Sequence, residues 1–172
     1  MNADIEFLTI FAEVHLGLTA FFAIVATLRQ TLGEALTAYQ YLVTRYFLET
    51  GLLTTAVTIT ALGVAATQQD DLVAWRALAW MLTVGSIVFQ FSYLGRRRKL
   101  QPPPPSSKTA IIVMGVTFVV WLNLFLVMLG INPMPIATAA VALLVTTLAG
   151  SIAVFLIFVG SFMMIHEVES SD

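Results

Sequence analysis

The sequence predicts an all-α fold, a polytopic bundle of about five membrane-spanning helices in a single domain. Composition is the first reason: 59% of the 172 residues are hydrophobic, only 10% are charged, and the mean hydropathy is +0.91. A soluble domain carries roughly 25% charged residues. The second reason is that the apolar residues fall in five long runs, each reaching the roughly 20 residues that cross a bilayer as a helix.

The five runs set the boundaries of the predicted spans. They cover residues 5–28, 46–66, 72–94, 109–131 and 136–165. The acidic N-terminal stretch has neither a basic region nor a clean small-residue cleavage site, so we expect the first run to be a retained helix. The last run is long enough to tilt or to extend beyond the hydrocarbon layer.

Two connecting segments have patterns of their own. Residues 32–45 repeat apolar and tyrosine side chains at helical spacing from Leu32 to Val43, which predicts an amphipathic helix. This helix either lies at the cytoplasmic interface or runs straight into the second span. The segment 100–108 contains consecutive prolines, which forbid a helix and predict a polyproline II linker.

The positions of Lys and Arg predict the orientation. Arg29 and Arg45 bracket the first loop, and a basic run from Arg96 to Lys99 follows the third span. Because Lys and Arg concentrate in cytoplasmic loops, these two loops are expected inside the cell. With an odd number of spans, the N-terminus is then outside and the C-terminus inside.

Several functional classes are disfavoured by the residues that the chain lacks. It has no Cys, hence no disulfide, thiolate nucleophile or Cys-ligated metal. The second histidine, His166, follows the last span at the far, cytoplasmic end of the predicted bundle, so the two histidines of one subunit are not expected to share a haem. No catalytic or nucleotide-binding motif occurs, and no extended basic surface suits nucleic acid. We therefore expect no enzyme activity, no cofactor and no metal, with the lipid bilayer as the first partner.

Glu13 and His15 are ionisable residues in the middle of the first span, where each costs roughly 2.5 to 3.5 kcal/mol on the mild insertion scale. They lie two residues apart and so point to nearly opposite sides of the helix, which excludes a Glu–His pair. Glu6, Gly17 and Ala20 share the side of Glu13. Each of the two ionisable groups needs its own partner.

Glu13 has three possible roles at this point. Arg76 enters the third span from the same side of the membrane, so a bridge between the first and third helices is one alternative. A carboxylate that faces a water-filled path, as a cation site or proton acceptor, is the second. A protonated, neutral Glu13 that donates one hydrogen bond is the third.

The second span carries two polar patterns. Arg45 and Glu49 are four residues apart, which predicts an ion pair at the cytoplasmic interface, as an anchor or as a gate or ligand contact. Thr54 and Thr58 continue along one side of the same helix. Their hydroxyls are typical of close helix packing, and pore lining is the alternative.

The fourth and fifth spans also contain polar or small residues. Asn123 lies inside the fourth span and is expected to bond a polar group of another helix. Thr146 and Gly150 form one of several small-xxx-small pairs in the last span, which favour close helix contact within or between subunits. A homo-oligomer is therefore expected.

The arrangement Arg45-Tyr-Phe-Leu-Glu49, Trp75-Arg76 and Asn123 resembles small polytopic bacterial membrane proteins of uncharacterised function. The resemblance loosely covers most of the chain. It implies a bacterial cytoplasmic membrane and carries no activity with it.

The intramembrane polar residues favour a small oligomeric ion channel or ion-conducting subunit, with Glu13 as a negative site near the outer mouth. The alternative is a non-catalytic scaffold or accessory subunit of a membrane protein complex, whose polar groups hold helices together and whose partner is another membrane protein. The residues expected along the ion path or in the polar network are Glu13, His15, Glu49, Arg76, Asn123, Thr54 and Thr58.

Overall fold

The computed structural model describes residues 3–31, 37–68, 71–100 and 108–169, and the side chains of 5–31, 37–38, 40–67, 71–100 and 112–156. Within these ranges the chain forms five helices: α1 (Ala3–Thr31), α2 (Ala38–Gln68), α3 (Asp71–Arg97), α4 (Lys108–Met128) and α5 (Ile136–Glu169). By length and composition, α1, α2, α3 and α5 can each cross a membrane, and α4 contributes the shorter apolar segment Ile112–Met128. The predicted all-α transmembrane bundle is confirmed.

The start of α2 is fixed by a capping box. The backbone N–H of Gln40 donates to Thr37 Oγ1 (3.2 Å), and the N–H of Thr37 donates to Gln40 Oε1 (3.0 Å). From Ala38 the helix continues unbroken to Gln68. Residues 38–45 therefore run straight into the second span, and residues 32–36 of the predicted interfacial helix lie outside the described residues.

The turn between α4 and α5 is built on Gly130, whose φ is +73°. The N–H of Gly130 donates to the carbonyl of Val127 (3.0 Å), and the N–H of Ile131 donates to that of Leu126 (3.0 Å). This pattern is a Schellman cap, which needs a left-handed residue and so favours glycine. The chain then passes through residues 132–135 and enters α5.

The connection from α3 to α4 is described only in part. After α3 ends, Lys99 N donates to Arg96 O and Leu100 N donates to Arg97 O, at 3.1 and 3.2 Å. The proline-rich linker predicted at 100–108 falls mainly on residues 101–107, which lie outside the described residues.

The helices pack so that α2 lies between α1 and α3, while α5 contacts each of the other four helices. α4 packs on α3 and α5. Because consecutive helices run in opposite directions, the end of α1, the start of α2 and the end of α3 meet at one end of the bundle. We name this the basic end, because Arg29, Arg45 and Arg96 lie there.

The buried apolar side chains form two clusters. The larger one includes Leu8, Leu78 and Leu144 and lies in the half of the bundle away from the basic end. The smaller one is centred on Phe22 and Phe47, whose rings stack at 4.1 Å toward the basic end. Buried polar residues lie mostly between the two clusters, and we name this set the polar belt: His15, Thr19, Thr54, Thr55, Thr58 and Thr83.

Candidate functional site

One side of α1 carries two carboxylates and points away from the bundle. Glu6, Glu13, Gly17 and Ala20, which we name the acidic face, are all exposed. A Cβ added at Gly17 would meet no atom within 4 Å, so no described part of the chain covers the helix there. The helical wheel predicted that these residues share one side, and the structure adds that this side is the outer surface of α1.

Glu13 lies near the middle of α1 rather than at its end. The helix has 29 residues with its centre at Gly17. Glu13 is one turn from that centre, which corresponds to about 6 Å along the axis. Since the hydrocarbon core of a bilayer is roughly 30 Å thick, a membrane centred on α1 encloses this carboxylate.

Glu13 and Arg76 do not form the bridge that was one of the sequence alternatives. Within the described residues, no Cα atoms of α1 and α3 lie within 8 Å of each other, because α2 separates the two helices. Both side chains are exposed, and neither takes part in the ion pairs found in the described part of the chain. An intramolecular Glu13–Arg76 bridge is therefore wrong for this fold.

His15 lies on the opposite side of α1 and is 1% exposed. The ring of Phe11 lies beside it, with the ring centroids 5.5 Å apart. Neither Nδ1 nor Nε2 of His15 has a hydrogen-bond partner among the described residues. His15 and Glu13 thus occupy separate environments, as their two-residue spacing predicted.

Thr54 and Thr58 face the interior of the bundle. Thr58 is fully buried, and its hydroxyl donates to the carbonyl of Thr54 at 2.9 Å. Thr83 of α3 is buried as well and donates to the sulfur of Met128 in α4 at 3.4 Å. The buried positions of Thr54 and Thr58 correspond to the first alternative for these residues, close helix packing. Neither hydroxyl would line a path along the acidic face, which lies on the outer surface of α1.

Glu49 is held by two arginines at the basic end. Arg45 Nε donates to Glu49 Oε1 at 2.6 Å, which is the pair expected from the sequence. Arg96 Nη1 donates to Glu49 Oε2 at 2.8 Å, and its Nη2 donates to Ser92 Oγ at 2.7 Å. Sequence reasoning missed Arg96 because it lies on α3. The cluster joins α2 to α3 and has the geometry of an anchor.

Asn123 is bonded by the turn that follows α4 rather than by a distant helix. Asn132 Nδ2 donates to Asn123 Oδ1 at 2.7 Å, and Asn123 Nδ2 contacts the sulfur of Met134 at 3.7 Å. Asn132 Oδ1 in turn accepts from the N–H of Met134 at 3.1 Å. The sequence predicted a bond from Asn123 to another helix, and this prediction is corrected. Asn123 belongs to a local hydrogen-bond network, because the turn folds back over the end of α4.

Gly150, one of the small residues of α5, lies at a close contact between α5 and α4. A Cβ added there would lie 3.1 Å from Val113 Cγ1, so this glycine accommodates α4 within the same chain. The pattern around Gly150 therefore serves an intramolecular contact and no longer supports an oligomer.

Two features of the described residues have polar groups without a partner: the acidic face, where Glu13 forms no ion pair, and the part of the polar belt that contains His15 and Thr55. No group of three or more His, Cys, Asp or Glu side chains that could hold a metal occurs among the described residues. Comparison with protein-family models, with curated proteins and with solved structures finds no match for this multi-pass membrane protein.

Proposed function

We propose that the chain is a subunit of a small homo-oligomeric ion channel, in which the acidic faces of several copies surround a cation path. The observation that carries the proposal is the exposed carboxylate of Glu13, which lies near the middle of a membrane-spanning helix with no ion-pair partner among the described residues. In such a path, water and cations surround this carboxylate in place of lipid.

The free-energy cost of placing a charge in lipid favours an arrangement in which other copies of the chain shield the acidic face from the bilayer. An ionised carboxylate that faces lipid near the bilayer centre costs roughly 2.5 to 3.5 kcal/mol even on the insertion scale. Glu6 stands on the same side, nearer the end of α1. Symmetry would repeat both carboxylates around an axis, and rings of carboxylates attract and select cations. Gly17 and Ala20 continue this side with small side chains, which leave room beside the path.

The proposed setting is a bacterial cytoplasmic membrane with the basic end inside the cell. Arg29, Arg45 and Arg96 all belong to that end, and basic residues are retained on the cytoplasmic side. The acidic residues Glu6 and Glu13 then lie in the outer half, where they would form the external mouth of the path.

The first test is cation flux through purified protein in liposomes, for the wild type and Glu13→Gln. We expect the variant to keep its oligomeric state and to lose or change its cation selectivity. The absence of flux from folded wild-type protein at all voltages and pH values tested would contradict the channel.

A second test uses the absence of Cys from the chain, so that single-cysteine variants need no prior substitutions. Ala20→Cys lies on the acidic face and should react with a charged, membrane-impermeant thiol reagent. Val116→Cys is the matched control, because Val116 is exposed as Ala20 is but lies on α4, away from the acidic face. Equal protection of both cysteines would contradict a water-lined path along α1.

A scaffold or accessory subunit is the second candidate, and Arg76 is the observation that favours it. Its side chain is exposed on α3, in the same half of the bundle as Glu13, and no ion pair involves it among the described residues. Because α1 and α3 lie on the two sides of α2, Glu13 of one copy can meet Arg76 of the next. Here Glu13→Arg should abolish assembly, and adding Arg76→Glu should restore it without any flux.

A further inference from the structure

We infer that the seam between α1 and α2 contains a binding site for one buried water molecule, which bridges the imidazole of His15 and the hydroxyl of Thr55. This site lies inside a single subunit, on the side of α1 opposite the acidic face. It is independent of the proposed channel, and either can fail without the other.

The register of the two helices brings these residues to the same level. A Cβ added at Gly51 of α2 would overlap the hydroxyl of Thr19, so the helix backbones approach closely there. One turn further from the basic end, Thr19 is followed by His15 on α1, and Gly51 is followed by Thr55 on α2. His15 and Thr55 therefore face the same seam at neighbouring positions.

Three polar atoms at this level have no partner among the described residues: Nδ1 and Nε2 of His15 and Oγ1 of Thr55. Each of them is buried. Two other hydroxyls of the polar belt are bonded within their own helices: Thr19 donates to the carbonyl of His15 at 2.8 Å and Thr58 to that of Thr54 at 2.9 Å. Buried polar groups without a protein partner are normally satisfied by an ordered water. One water in the seam reaches Thr55 Oγ1 and one of the two ring nitrogens of His15, because the two nitrogens of an imidazole point in different directions.

The chemistry of the seam selects water over a cation. A neutral imidazole offers one donor and one acceptor, and a hydroxyl offers both. Glu13, the carboxylate nearest in sequence, lies on the other side of α1. No metal-binding cluster of His, Cys, Asp or Glu occurs in the described ranges. A cation in the seam would therefore be an unpaired buried charge, whereas a water matches the donors and acceptors at no charge cost.

Apolar and tightly packed groups close the site on both sides. Toward the basic end, Gly51 packs against Thr19, and beyond this contact the rings of Phe22 and Phe47 are stacked. In the other direction the ring of Phe11 lies beside that of His15. The water is therefore expected to be ordered and to exchange slowly with bulk solvent.

The experiment measures magnetisation transfer from water to the imidazole ring. The chain has two histidines, so His166→Gln leaves His15 as the only ¹⁵N-histidine signal in protein reconstituted in deuterated lipid. We expect transfer in this background, its loss in Thr55→Val, and its retention in Thr55→Ser, which keeps the hydroxyl. Thr83→Val is the matched control, because this belt hydroxyl already donates to Met128 and its loss should leave the transfer unchanged.

Two results would overturn the inference. Absence of transfer in the His166→Gln background would show that the imidazole contacts no water, whatever the threonine variants do. Equal transfer in folded Thr55→Val and Thr55→Ser would show that water reaches His15 without being held by Thr55. If Thr55→Val does not fold, Thr55→Ala takes its place, and equal transfer in Thr55→Ala and Thr55→Ser contradicts the bridge in the same way.

Discussion

Replacement of Gly51 by Ala tests the close approach of α1 and α2 directly. An added Cβ would overlap Thr19 Oγ1 and lie 2.9 Å from Thr19 Cγ2 and 3.0 Å from its Cβ. Thr19 cannot easily yield, because it is 3% exposed and its hydroxyl donates to the carbonyl of His15 at 2.8 Å. The helices must therefore separate, or Thr19 must leave its rotamer and its hydrogen bond.

The expected cost follows from two opposing effects. Overpacking of a tight interior costs about 1 to 3 kcal/mol. Ala gains about 1 kcal/mol over Gly in helix propensity, which offsets part of this. Gly63→Ala in the same helix receives only the propensity gain, because a Cβ there meets no atom within 4 Å. The free energy of unfolding of Gly51→Ala should therefore lie below that of Gly63→Ala by about 1 to 3 kcal/mol, the overpacking difference.

The assay is reversible chemical unfolding in detergent micelles, followed by the fluorescence of the three tryptophans. Addition of Thr19→Ala to Gly51→Ala removes the clashing atoms and should recover most of the lost stability. If Gly51→Ala proves as stable as Gly63→Ala, the two helices do not meet at Gly51. The register that sets Thr55 beside His15 would then be wrong as well.

Three further changes should lower stability in the same unfolding assay. Asn123→Leu removes the side-chain bonds to the α4–α5 turn and should cost about 1 kcal/mol; an unchanged stability would mean that the turn is held otherwise. Thr37→Ala removes the side-chain cap of α2 and should cost about 1 kcal/mol. The amide hydrogen of Gln40 should also exchange faster than in the wild type, and an unchanged exchange rate would contradict the capping box. Gly130→Ala forces a Cβ into a φ of +73° and should cost about 1 kcal/mol, whereas Gly115→Ala, inside the preceding helix α4, should be neutral or stabilising.

Properties that depend on neighbours along the chain were predictable from the sequence. Hydrophobic runs predicted the helical spans, since a bilayer requires about 20 apolar residues in a helix. The 3.6-residue period separated Glu13 from His15 onto opposite sides of α1, and the four-residue spacing brought Arg45 to Glu49. These relations need only helix geometry and no knowledge of which helices touch.

The tertiary structure alone decided which helices are neighbours, and with that the partners of the polar groups. It separated Glu13 from Arg76 by inserting α2, and it brought Arg96 to Glu49 across α2 and α3. It also turned Thr58 inward. In a soluble helix the apolar stripe marks the packed side. A membrane helix is apolar on nearly all sides, so its sequence does not mark the side that packs, and adjacency is set by close fits between distant residues, such as Gly51 against Thr19.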